Sequence, residues 1–207
     1  MSSKGYTTKT KVENYLLKDI NVSFDTQIDN WIEGVENIID QITNRNFKAD
    51  SSASARLFNG DGTPELLIDE CVEVTLVEVG NDGYGSSFTT VASSGSDRYF
   101  TLPNNHTVKK QPIHKIELSA RDFVCGTQNN RITAKWGYSA EVPKDIEFVA
   151  TVLVAGIINQ HSQSGDQIKS ERIGNYTVTY NTDNGGDSFA DFNRAMEILK
   201  MYTRYII

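Results

Sequence analysis

Hydrophobic and polar positions divide this chain into stretches with helical periodicity and stretches with a period of two. Ile28, Trp31, Ile32, Val35, Ile38, Ile39 and Ile42 recur at i, i+3, i+4 spacing, with Asp29, Asn30, Glu33, Glu36, Asn37 and Asp40 opposite them, which predicts an amphipathic helix over 25–45. A shorter helix is expected over 10–19, where Val12, Tyr15 and Leu16 share a face and Thr10 with Glu13 has capping-box spacing. Ser23 and Asp25 are both acceptable caps for the longer one. From Arg131, Ile132, Ala134, Trp136 and Tyr138 alternate with polar partners, as in a half-buried strand. Pro143 then sits where a helix can begin without losing a hydrogen bond.

The helix expected over 143–160 is apolar on several faces: Ile146, Val149, Leu153, Val154 and Ile157 sit among Ala150, Val152, Ala155 and Ile158. Such a helix must be wrapped by its own chain, by neighbouring subunits, or by both. Its apolar run is shorter than the about 20 residues of a membrane span and opens on Lys144, Asp145 and Glu147, so no membrane association is expected. A last helix is expected over 188–204, with Ser188 and Asp191 at capping-box spacing and Phe189, Phe192, Met196, Leu199 and Tyr202 along one stripe. The chain closes on Tyr205, Ile206 and Ile207, an apolar end that suggests docking, since termini ordinarily fray into water.

Between these helices, residues 48–130 change character. Ala55–Phe58 and Glu65–Ile68 flank Asn59-Gly60-Asp61-Gly62, the signal of a hairpin. Val72, Val74 and Leu76 alternate with polar residues, Arg98–Leu102 and Ile113–Leu118 read as further strands, and 80–95 is rich in Gly and Ser, as expected of a mobile hairpin tip or loop. Tyr176, Val178 and Tyr180 mark one more strand between polar loops. The fold class expected is α+β: a four-helix core (10–19, 25–45, 143–160, 188–204) with an inserted β-rich subdomain. Residues 1–49 and 131–207 form the core, and 50–130 the insertion.

Composition adds little to this picture. The 207 residues are 38% apolar and 23% charged, ordinary for a globular protein, and the net charge of −7 argues against a surface built to grip phosphates. Cys71 and Cys125 stand far apart without a CxxC pattern, which fits reduced thiols. The polar N-terminus has no signal-peptide pattern.

Chemistry is sparse. His106, His114 and His161 have no partner at metal-ligand spacing, and an ordinary structural histidine explains each better. The segment 59–65 lacks the alternating carboxylates and closing glutamate of a calcium loop, and Asp183 with Asp187 is equally weak. No nucleophile elbow, phosphate loop or dinucleotide fingerprint occurs, Cys125 has no activating cation in sequence, and Asp69 with Glu70 suits a solvated strand end. No catalytic residue, metal or cofactor is expected.

The order of parts is more telling than any one motif. Tyr6, Arg45 with Phe47, Trp136-Gly137-Tyr138, Val142-Pro143-Lys144-Asp145-Ile146 and Glu171-Arg172-Ile173-Gly174-Asn175-Tyr176 fall in the order found in head–tail connector (adaptor, head-completion) proteins of long-tailed bacteriophages, and the chain resembles that family over nearly its whole length. The resemblance implies a non-enzymatic virion protein. It would form a ring homo-oligomer, commonly a dodecamer, between the portal and the next connector, stopper or tail protein, at the head–tail interface of a virion assembled in the host cytoplasm. Genomic DNA would pass through its lumen without sequence-specific binding. On this reading Tyr202, Tyr205, Ile206 and Ile207 dock to the portal or another partner. Ile146, Val149, Leu153, Val154 and Ile157 pack subunits, and Gln167, Lys169, Arg172, Asp183 and Asp187 lie in a loop ordered by assembly. The competing expectation is a virion carbohydrate- or receptor-binding module with Tyr84, Phe88, Tyr99 and Phe100 on its binding face; a third is a small hydrolase or nuclease.

Overall fold

Strand β2, Glu65–Gly80, is the longest in the computed structural model and the axis of its main sheet. The structure describes residues 4–162, 169–173, 176–180 and 186–204. Six strands pair antiparallel: β1 (Ser54–Gly60), β2, β3 (Phe88–Val91), β4 (Tyr99–Leu102), β5 (Ile113–Leu118) and β6 (Gly126–Trp136). Their order is β1-β6-β2-β5-β4, with β3 on β2. Strand β2 serves two neighbourhoods. Its first half pairs with β5 (Leu66 opposite Ile116) and its second with β6 and β3 (Val77 opposite Ile132 and Val91).

The pairing forces β2 to bend. Gly60 and Gly80 both lie against Asn129, near the start of β6. Glu65 follows Gly60 by only five residues, a reach of at most about 18 Å. A straight strand of β2's length would hold its ends about 50 Å apart. Register shifts between Leu67 and Cys71, Cys71 and Glu73, and Val74 and Leu76 supply the bend. They also exchange the inward face: Leu66 is buried before the shifts and Val77 and Val79 after them, with Ile68 and Cys71 buried among them. The expected alternating face of Val72, Val74 and Leu76 is consequently only half-buried. Inside the curl lies one apolar core, joined by Ile116, Phe123, Ile132, Ala134 and Trp136.

The hairpin expected at Asn59–Gly62 does not form. The turn is there, but β6 lies between β1 and β2, with Arg56 opposite Ile132. Local turn chemistry set the reversal and long-range pairing chose the partner.

Contacts divide the chain into two units, residues 46–141 and residues 1–45 with 142–207. The second unit holds helices α1 (Lys9–Leu16), α2 (Asp25–Thr43), α4 (Lys144–Ser162) and α5 (Gly186–Tyr202), and a hairpin of β7 (Lys169–Ile173) with β8 (Tyr176–Tyr180). The remaining helix, α3 (His106–Lys109), is a single turn within the sheet unit.

The expected α+β fold, a four-helix connector core with an inserted β subdomain, is therefore corrected: the largest organised element is the six-stranded antiparallel sheet, accompanied by five helices of unequal length among the described residues. The reason lies in β6. Its period-two run was expected to open the helical core, yet β1 and β2 pair with it on both sides and draw it into the sheet.

Caps differ in detail as well. Thr8, not Thr10, caps α1 through the Lys11 N–H, and Glu13 instead accepts from the N–H of Ile20 beyond the helix. A 3₁₀ turn over Val22–Phe24, capped by Asn21, runs straight into α2, so neither Ser23 nor Asp25 caps it. Pro143 lies just before α4, its carbonyl accepting from Glu147.

Candidate assembly surfaces

The apolar α4 finds shelter within its own unit, packed against α1, α2 and α5. Ile146, Val149 and Val154 are fully buried there, and Leu153 and Ile157 are partly exposed. Burying an aliphatic side chain contributes roughly 1.5–3 kcal/mol. The chain therefore satisfies most of this helix without a second copy, and only Leu153 and Ile157, of the five expected to pack subunits, have surface to offer one. A polar clasp fixes its start. Thr151 donates to the Glu147 carbonyl and lies 2.7 Å from the Thr7 hydroxyl. The Glu147 carboxylate meets Lys11 at 2.8 Å and Lys144 at 3.1 Å. Desolvation pushes its pKa up, but the hydrogen bonds and charges of the two lysines prevail and hold it below the usual glutamate value.

The N-terminal segment is clamped to α2 through Tyr6. Its N–H donates to Glu36 at 2.8 Å, its hydroxyl donates to Asp40 at 2.5 Å, and Lys4 reaches Asn37 and Asp40. Just beyond, at the C-terminal end of α2, Arg45 donates to the Tyr202 carbonyl at 2.5 Å and the Thr43 carbonyl accepts from the Arg204 N–H. The Tyr202 hydroxyl lies 3.4 Å from Asp145. Tyr202, expected to dock a partner, is thus engaged by its own unit. Tyr205, Ile206 and Ile207 lie outside the described residues. So do Gln167 and Asp183 of the expected assembly-ordered loop, whereas Lys169 and Arg172 fall on β7 and Asp187 in the first turn of α5.

In the sheet unit the Trp-Gly-Tyr run has a steric cause. Gly137 sits at φ +134°, and a Cβ there would come within 2.5 Å of the Ala49 Cα and 2.9 Å of the Lys48 carbonyl. Trp136 is buried, donating to the Ser54 carbonyl at 2.8 Å, and Tyr138 packs on the buried Phe47.

The hairpin tip or loop expected at 80–95 is a hairpin, β2 pairing with β3, and side-chain hydrogen bonds span its tip. Asp82 accepts from the backbone of Tyr84 and Ser86 and from the Ser86 hydroxyl, bonds that hold its carboxyl below the usual range. Beneath it a buried asparagine pair joins three loops. Asn129 accepts from the Gly60 N–H and the Asn130 amide, and donates to the carbonyls of Val124 and Asp82. Nothing in the periodicity of the sequence marks this pair.

The aromatics of the expected glycan-binding face do not assemble. Arg131 covers Phe88, Arg98 covers Phe100, which stays partly exposed, and Tyr99 packs against the core, while Tyr84 is the most exposed of the four. Asp61 is engaged by the backbone and hydroxyl of Thr63. His161 stacks on Trp31, and His114 is half-buried on β5. Among the described residues no three His, Cys, Asp or Glu side chains are grouped to hold a metal, and no helix is long and apolar enough to cross a membrane. Burial pushes the Cys71 thiol up to about 12, whereas Cys125 is exposed.

Two surfaces escaped sequence reading. Leu17, Val22 and Phe24 are exposed together between α1 and α2. A second lies between β4 and β5, where Lys109 and Lys110 stand in a stretch free of acidic residues.

No family model and no curated protein matches the chain. Among solved structures it is similar to a chain from the neck of the empty GTA (gene transfer agent) particle, computed with C6 symmetry, at a TM-score of 0.56 and 11% identity, covering 100% of this chain and 94% of that one. A chain from the neck of the native GTA particle, computed with C12 symmetry, aligns at a TM-score of 0.48 and 14% identity over the same shares. At such identities the first likeness establishes a shared fold, and the fold it shares is that of a chain in a phage-like neck.

Proposed function

We propose that this chain is a non-enzymatic structural protein of a phage-like head–tail neck. One observation carries the reading: its whole length, both units included, aligns with a neck chain in which almost nothing is left over. The connector-like order of its sequence motifs supports the same conclusion independently.

In finer detail, the chain is an adaptor that closes into a ring beneath the portal, extends the DNA channel and receives the next connector, stopper or tail protein. The C6 symmetry of the related neck supports a closed ring, and a dodecamer is the stoichiometry that the connector resemblance implies. The virion is its site of action and the host cytoplasm its place of assembly. Because α4 is largely satisfied internally, ring contacts fall to the part of it left partly exposed, Leu153 and Ile157, and to the exposed Leu17, Val22 and Phe24.

Electron microscopy of the full chain, alone and with portal particles, tests this. Closed rings of one symmetry, seated coaxially on the portal, are expected. Particles that never close, and portals left bare, would overturn the adaptor assignment. Replacing Ile206 and Ile207 by Asp separates the terminal-docking element: attachment is lost while the circular-dichroism spectrum stays unchanged.

A further inference from the structure

The connection between β4 and β5 carries two neighbouring lysines, Lys109 and Lys110, that meet no carboxylate among the described residues. From Arg98 to Ile116 there are four lysines and arginines and no aspartate or glutamate, in a protein of net charge −7. Most other lysines of the described chain meet a carboxylate, as Lys9 meets Asp25, Lys11 Glu147, Lys115 Glu65 and Lys135 Glu73. Lys109 and Lys110 are neighbours in sequence and both exposed, and neither has an ion pair or hydrogen bond from its side chain among the described residues. The turn carrying them is well defined. Left-handed Asn105 (φ 60°) and Lys110 (φ 52°) bracket α3, and the N–H groups of Lys109 and Gln111 donate to the carbonyls of Asn105 and His106 at 3.0 Å each.

Two exposed lysines without a carboxylate partner offer an anion two positive charges on one short turn. We propose that the Lys109–Lys110 turn is a sequence-blind contact for the phosphate backbone of duplex DNA. The hydrogen-bonded backbone of the turn lowers the backbone entropy lost on contact. Lysines without an arginine fork or a stacking aromatic offer point charges that read no base. Their contacts rest on counterion release and yield readily to salt. This inference rests on the neck reading for the presence of DNA, and it adds how the duplex is touched: repeated around a ring, the turns centre it, while the acidic remainder keeps it free to slide.

The test is fluorescence anisotropy of a mixed-sequence duplex against the full-length protein and its K109Q/K110Q variant, from about 50 to 200 mM salt. Removing two phosphate contacts should flatten the log–log salt slope by about 1.8 for each engaged turn. Wild type therefore weakens about tenfold more than the variant across that range. Equal affinities and equal slopes, or no binding by wild type, would overturn the proposal. So would unchanged DNA binding with broken self-association, which would assign the turn to an acidic protein surface. Electron microscopy of the same samples keeps the two ideas apart: rings that form in both proteins leave the neck reading standing whatever the anisotropy shows, and their absence from both counts against that reading alone.

Discussion

The helical unit and the sheet unit each bury a large apolar surface, but by different means. In the helical unit burial follows local periodicity: the stripe of α2 turns inward at Ile28, Ile32, Val35 and Ile39, and α4 is enclosed by three neighbouring helices. In the sheet unit burial depends on partners remote in sequence. Strand β1 pairs with β6, Arg56 with Ile132, and bulges in β2 decide which residues face inward. The contrast teaches that the same apolar residues carry different information in the two units. Helical spacing names its own inner face, whereas a period of two names a face only until a bulge exchanges it.

Removing the largest core side chain of the sheet breaks the comparison hardest. Trp136→Ala should cost about 3–5 kcal/mol, and it leaves Trp31 as the only tryptophan, within the helical unit. Denaturant unfolding followed by circular dichroism and by Trp31 emission is expected to show the sheet melting early while Trp31 reports a little-changed transition. Coincident loss of both would mean that the units fold as one. The reciprocal change, Ile146→Ala in α4, should cost about 2–5 kcal/mol. Hydrogen exchange resolved by mass spectrometry should then accelerate in α1, α2 and α4 and stay unchanged in β2 and β6.

Asn129→Ala comes next. It strips the Gly60 N–H and the Val124 carbonyl of their side-chain partner in a buried setting, at a cost of about 1–3 kcal/mol. The loops over 59–64 and 81–87 should exchange faster before the strands do; uniform loosening would refute the pinning role.

The smallest effect is electrostatic. Arg131 chelates Glu78 through two bonds of 2.7 Å, and its hydrogen bonds hold that carboxyl below the usual glutamate range. A carboxyl whose folded pKa is depressed adds stability that is complete above the unfolded value, about 4.3, and vanishes as the pH falls through the folded one. Glu78→Gln should therefore lower the unfolding free energy at pH 7 slightly, by at most about 1 kcal/mol, read from the urea midpoint. The difference should shrink as the pH falls below about 4.3.

The helices were legible because their signals are local. Expected spans of 25–45 and 143–160 compare with Asp25–Thr43 and Lys144–Ser162 in the structure. The strand pairing was not. Asn59–Gly62 specified a reversal but could not reveal that β6 would enter between β1 and β2, and the Asn129–Asn130 pair looked like any polar loop start until three loops converged on it. Greasiness was also read as a demand for neighbours. Ile146, Val149 and Val154 show that demand met within the chain, because α1, α2 and α5 surround α4. The order of the motifs, not the apolar helix, is what in the sequence agrees with the shared neck fold, and the acid-free run around Lys109 stood out only once the structure set it on an exposed turn.

Sedimentation velocity of the full-length chain over a hundredfold range of concentration reaches the central claim directly. A ring-forming neck protein predicts a single closed species that grows at the expense of monomer with no ladder of larger sizes above it. A boundary that stays monomeric throughout, with and without portal, would contradict it.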